Sequence, residues 1–235
     1  MLPPSHALIA QKTDARIVTC DGTIIEKGGI AESATVPCSG EPYTAIRKTT
    51  RVERLGNGTA ISHESTSKQA RDFDGRIYQE SQIECCLSSK GKQLPLTTSY
   101  WVIDYEKRTN ITWSSNGKEA IVFYWPDPGH MEGTSPHGTD VQFQVESLGT
   151  KTINGLEAKG TRMTYTAEDG QPRTVTSERW YSVEFKTLVF SIEDDPRMGI
   201  STTEMTDFQR GAPAPALFKI PAGYSVRDVD MSQKN

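Results

Sequence analysis

Nowhere does this 235-residue chain approach the ~20 consecutive apolar residues that a membrane-crossing helix needs, so no transmembrane helix is expected. An excess of positive charge is missing too. The 26 Lys and Arg are outnumbered by 30 Asp and Glu and lie scattered among them, without the basic footprint that nucleic-acid binding requires. No GxSxG, HExxH, P-loop or GxGxxG stands in a strand–turn–helix context, which removes the common hydrolase, metalloprotease and nucleotide-binding classes and leaves no cofactor motif. Cysteine is scarce: Cys20, Cys38, Cys85 and Cys86 include no CxxC pair, and the adjacent Cys85 and Cys86 project to opposite faces of a strand, which argues against zinc. Cys20 and Cys38 are expected to close one short disulfide loop in an oxidising compartment, with four free thiols as the alternative. A long amphipathic helical pattern is also lacking, which points to a mainly β protein.

What is present is a succession of short runs of strand-forming residues punctuated by turn dipeptides. Tyr43 to Leu55 alternates branched and charged residues up to Asn57-Gly58, and the return run from Thr59 to Arg71 leads to Asp74-Gly75 and then to Arg76–Ile83. The aromatic-rich runs Ser99–Tyr105, Asn110–Trp113 and Glu119–Trp125 follow, joined by connections too short for a crossover helix, so neighbouring strands should be antiparallel. Residues 126–138 form a Pro- and Gly-rich loop. A second set of runs then spans Gln142–Lys151, Leu156–Tyr165, Arg173–Tyr181, Thr187–Ile192 and Ile200–Phe208, with Asn154-Gly155 and Asp169-Gly170 as turns. The late Pro213–Phe218 stretch permits one short helical turn, ended by Pro221. The expected organisation is an extended arm over 1–41 and one β domain over 42–235, made of meanders 42–125 and 139–228 joined by the loop 126–138.

Several segments carry a resemblance. Glu146–Arg162, Ser177–Ser182, Asp195–Gly199 and Leu217–Tyr224, together with the hairpin Arg51–Glu80, resemble in order an uncharacterised family of exported acidobacterial proteins. The strand-after-strand layout ending in the Phe-x-x-Pro-x-Gly-Tyr element at 218–224 is similar, more remotely, to the lipoprotein carriers of the LolA and LolB type. That resemblance implies an antiparallel meander forming an open, curved half-barrel with an apolar inner face and few short helices. It also implies a periplasmic or secreted location, although the start of the chain has no basic n-region. Ala7-Leu8-Ile9-Ala10 reads equally as the tail of a trimmed signal peptide or as a frayed terminus.

A curved sheet with an apolar face can hold a lipid or acyl chain by area alone. Trp101, Ile103, Trp113, Val122 and Tyr124 are the ligand-binding candidates, because alternation places members of each strand on one face; the same residues could equally form a filled core. Trp180 carries the same ambiguity, and Arg179 beside it could orient an anionic head group or take part in cross-strand ion pairing. His130, His137, Glu132 and Asp127 match no standard metal geometry, and Asp194-Asp195-Pro196-Arg197 reads as a turn, so no metal is expected.

The sequence thus reads as a non-catalytic binding protein that holds an apolar small molecule, a lipid or the lipid moiety of a lipoprotein. The alternatives are a structural or protein-interaction module with a filled core and an edge open to a partner strand, and a VioE-like enzyme acting by pocket shape.

Overall fold

The computed structural model describes residues 17–18, 23–26, 29–32, 40–56, 58–83, 96–125, 143–167 and 172–230. The four cysteines, the histidines of the central loop and the loop 126–138 lie outside the described residues, as does most of the N-terminal arm. Within that arm, β1 (Ile17–Val18), β2 (Thr23–Glu26) and β3 (Gly29–Glu32) pair as a small antiparallel sheet.

The remaining strands form one twelve-stranded sheet. In chain order they are β4 (Tyr43–Arg54), β5 (Ala60–Arg71), β6 (Ile77–Ile83), β7 (Thr97–Asp104), β8 (Thr109–Ser114), β9 (Glu119–Tyr124), β10 (Phe143–Ile153), β11 (Leu156–Ala167), β12 (Arg173–Ser182), β13 (Leu188–Asp195), β14 (Gly199–Arg210) and β15 (Ser225–Asp230). Their spatial order is β10-β11-β12-β13-β14-β4-β5-β6-β7-β8-β9-β15. Two antiparallel meanders are therefore fused edge to edge where β14 pairs with β4. The turn chemistry acts as the sequence leads one to expect at Asn154-Gly155, where both residues take positive φ (48° and 79°) and Ile153 faces Leu156 in a tight hairpin.

The sheet is not closed: among the described residues β10 and β15 stand at its two ends. It is also curved. Asn154, at the tip of the β10–β11 hairpin, donates from Nδ2 to Glu204 Oε1 at 3.0 Å and to the Met205 carbonyl at 2.9 Å, although β11 and β14 are three places apart in the sheet. The mainly β, open half-barrel expected from the sequence is the observed architecture.

The C-terminal strand was not foreseen. After β14 the chain crosses the sheet through a single 3-10 turn at Pro215–Phe218 and adds β15 parallel to β9, the only parallel pairing among the described residues. Both end strands carry features that discourage further pairing: β10 is bulged between Ser147 and Gly149, and β15 bears Arg227 and Asp228.

Two hydrophobic clusters hold the sheet. One gathers Ala70, Tyr78, Val102, Trp113, Ala120 and Phe218, with Tyr100, Ile111, Leu217, Ile220 and Tyr224 packed against it. The other gathers Tyr43, Ala45, Leu156, Ala158, Trp180, Phe185, Val189 and Met205. Charge is satisfied at the hairpin turns. Asp72 accepts from the backbone N–H groups of Asp74 and Arg76 and pairs with the Arg76 guanidinium at 2.6 Å. Asp195 accepts from the Arg197 N–H and from Arg173 Nε, both at 2.8 Å. Asp195, the last residue of β13, thus pins the turn that follows it, and Arg173 with the Arg197 N–H holds the Asp195 carboxyl below its ordinary value.

Candidate functional site

A hollow lies on the first meander, where the crossing segment passes over β6, β7 and β8. This groove encloses about 390 Å³ and is lined by Tyr78, Tyr100, Trp113, Leu217, Pro221 and Tyr224, with Ser115, Ala216 and Lys219 completing it. Register places the floor. Tyr100 lies directly opposite Trp113, and the two rings stack with centroids 5.4 Å apart and planes 13° from parallel. Tyr78 contributes from β6, two residues along on the same face, where it faces Val102. The wall comes from the crossing segment, whose Phe218 meets the Tyr78 ring edge-on at 6.3 Å and lies 5.2 Å under the Arg76 guanidinium.

Polar groups at the rim are few and placed. The Tyr78 hydroxyl donates to Glu80 Oε2 at 3.0 Å; burial first, then that carboxylate, raises its pKa above the ordinary value, so the phenol stays neutral. The Tyr224 hydroxyl donates to the Ser114 carbonyl at 3.0 Å, and the Lys118 ammonium stands 5.1 Å from the Tyr224 ring. No nucleophile is paired with a base here, and no cluster of metal-ligating side chains occurs among the described residues. The arrangement offers apolar area with charges of both signs beside it, Glu80 at Tyr78 and Lys118 at Tyr224.

The sequence candidates separate. Trp113, Val122 and Tyr124 share the groove face, since Ile111 faces Val122, Trp113 faces Ala120 and Thr109 faces Tyr124. Only Trp113 lines the groove; Val122 is buried beside it, and Tyr124, half exposed, donates to Asp228 on β15. Trp101 and Ile103 lie on the opposite face, against Gln79 with Thr112 and against Ile77 with Asn110. Arg179 also points to that opposite face, between Thr161 and Ser191. Its neighbour Glu178 pairs across the strands with Arg162, at 2.6 Å.

Trp180 belongs to the other hydrophobic cluster, with Ala158, Val189 and Met205. Its ring lies flat over Gly160, where a Cβ would meet ring carbons at 2.6 Å, and the Lys151 ammonium covers it from 3.8 Å. The residue at 160 must be glycine for the indole to sit there. The indole N–H has no partner among the described residues.

Sequence reasoning missed Tyr78, Tyr100, Leu217, Pro221 and Tyr224. Counting back from the short β7–β8 connection would have set Tyr100, rather than Trp101, opposite Trp113. The element at 218–224 was visible as a motif, but nothing local told that it crosses the sheet.

No protein-family model and no curated protein matches this chain. Solved structures do. An uncharacterised conserved protein from Thermus thermophilus aligns at a TM-score of 0.46 and 10% identity, covering 81% of this chain and 91% of that one. A LolA superfamily protein from Nitrosomonas europaea aligns at 0.33 and 7% identity, covering 80% and 93%. The Mycobacterium tuberculosis lipoprotein LppX aligns at 0.31 and 14% identity, covering 74% and 89%. The matched structures thus include the LolA type, which the strand layout resembles.

Proposed function

We propose that this protein is a non-catalytic binding protein that holds an apolar ligand or the lipid moiety of a partner against Trp113. The observation that carries this reading is the groove of about 390 Å³ between the stacked Tyr100–Trp113 pair and the crossing segment. It is large enough for a hydrocarbon group, and each methylene removed from water there contributes ~0.8 kcal/mol. A periplasmic or secreted setting accords with such a carrier, and cell fractionation tests it.

Binding of the polarity-sensitive dye N-phenylnaphthylamine is the direct assay. The dye brightens on entering the wild-type protein, and Trp113→Ala, which removes half of the stacked floor, weakens binding about tenfold, equivalent to ~1.4 kcal/mol. Unchanged dye affinity in a folded Trp113→Ala protein would overturn the assignment. Native mass spectrometry of protein released under mild conditions then identifies any lipid carried along.

A further inference from the structure

The groove beside Trp113 does not end at Leu217. A second hollow of about 240 Å³ lies on its far side, with Thr44, Ile46, Ala70 and Gln209 in its lining, and Tyr78 and Leu217 belong to both. Register explains why the two are aligned. Trp113 faces Tyr100, Tyr100 faces Glu80, Glu80 faces Lys68 and Lys68 faces Ile46, one row across β8, β7, β6, β5 and β4. Four interstrand steps span ~19 Å at the usual strand spacing, the reach of an extended long-chain acyl group.

What separates the hollows is weakly held. The Gly211 N–H donates to the Pro42 carbonyl and the Ser225 N–H to the Lys118 carbonyl, but between these points no backbone hydrogen bond joins residues 212–224 to the sheet among the described residues. The bonds of this strap are internal, from Leu217 to Ala214, Lys219 to Ala216 and Tyr224 to Pro221. Its grip on the sheet is side-chain packing by Leu217, Phe218, Ile220 and Tyr224, plus the Tyr224 hydroxyl bond. Apolar contacts of this kind can be exchanged for those of a hydrocarbon chain without leaving a backbone group unsatisfied.

The two ends differ in charge. The hollow at Trp113 carries Lys219 and no carboxylate in its lining, with Lys118 against Tyr224 nearby. The far hollow carries Asp207 and Glu80, the latter paired with Lys68 at 3.3 Å.

We infer, resting on the binding function proposed above, that the two hollows are halves of one track for a single-chain acid amphiphile, in its simplest form a long-chain fatty acid. The chain lifts Leu217 and Phe218 of the strap and lies across five strands, while its acid group stays at Lys219. In the empty protein the strap side chains hold the place of the ligand, so its displacement sets part of the affinity.

Calorimetric titration with octanoate, laurate, palmitate, arachidate and hexadecanol tests this, alongside hydrogen exchange of the strap amides. Affinity should rise from octanoate to palmitate and level off at arachidate. Palmitate should bind about tenfold tighter than hexadecanol, a preference lost in Lys219→Ala. Leu217→Ala, a change outside the fully buried core, should tighten palmitate binding several-fold, and amides 212–224 should exchange faster with palmitate bound. Affinity that is flat beyond octanoate, or a strap that exchanges more slowly in the complex, overturns the single track. If N-phenylnaphthylamine binds and the chain-length series is flat, the track alone fails; if neither the dye nor any acid binds, the binding function falls with it.

Discussion

Trp113 and Trp180 belong to one sheet and are almost equally buried, 7% and 5% exposed, yet one borders a groove and the other is sealed between Gly160 and Lys151. The difference lies in what covers them. Trp180 lies on the glycine at 160 and under Lys151, both from strands hydrogen-bonded within its own meander. Trp113 is covered by a strap that comes from the far end of the chain and has no backbone bond to the strands beneath it among the described residues. Burial alone therefore does not separate a core aromatic from one that lines a groove. The separation comes from whether the cover is part of the hydrogen-bonded sheet or merely packed on it.

The largest expected effect is on the sealed side. Trp180→Ala should cost ~4 kcal/mol in chemical denaturation, as expected for a buried tryptophan whose cavity cannot collapse. It should leave dye binding at the groove unchanged once the fraction folded is matched. A cost below that of Trp113→Ala would break the comparison, because it would mean that the sealed site is as replaceable as the open one.

Gly160→Ala comes next, with a loss of ~2 kcal/mol from overpacking the indole. Trp180→Phe in the same chain should recover part of that loss, and a double-mutant cycle measures the coupling.

Acid sharpens the contrast further. The Arg173 guanidinium and the backbone N–H of Arg197 hold Asp195 below its ordinary value of 3.8, so its folded-state contribution is present above that pH and fades as the pH falls through the depressed folded value. Asp195→Asn should therefore cost ~2 kcal/mol near neutral pH, an estimate for a largely buried pair that loses one charge. The stability gap to the wild type should close as the pH drops below 3.8. A gap that persisted unchanged at lower pH would show that the turn, rather than the charge, accounts for it.

Lys151→Met is the smallest change. It removes the ammonium above the Trp180 ring and keeps most of the apolar stem, for ~1 kcal/mol, detectable as a shift in denaturation midpoint without a change in slope.

Much of the strand layout was legible in the residues. Alternation and turn dipeptides mark β4 to β9 and β10 to β14, and the short connections force antiparallel neighbours. The site was legible only in part. Trp113 stood out by type, but of the alternating Tyr100-Trp101-Val102-Ile103 run the groove takes Tyr100 and the opposite face takes Trp101 and Ile103. A one-residue choice of register exchanges the two faces of a strand, and both faces of β7 bear large side chains, so composition could not choose between them.

The sequence by itself determined a mainly β chain of two meanders, because period-two alternation and local turns act over a few residues and need no distant partner. Only the tertiary structure decided how β14 joins β4, how β15 comes to lie parallel to β9, and that residues 212–224 roof the aromatic floor. These are long-range pairings whose selection depends on burying side chains more than a hundred residues apart, such as Tyr224 over Ser114, and no local pattern carries that information.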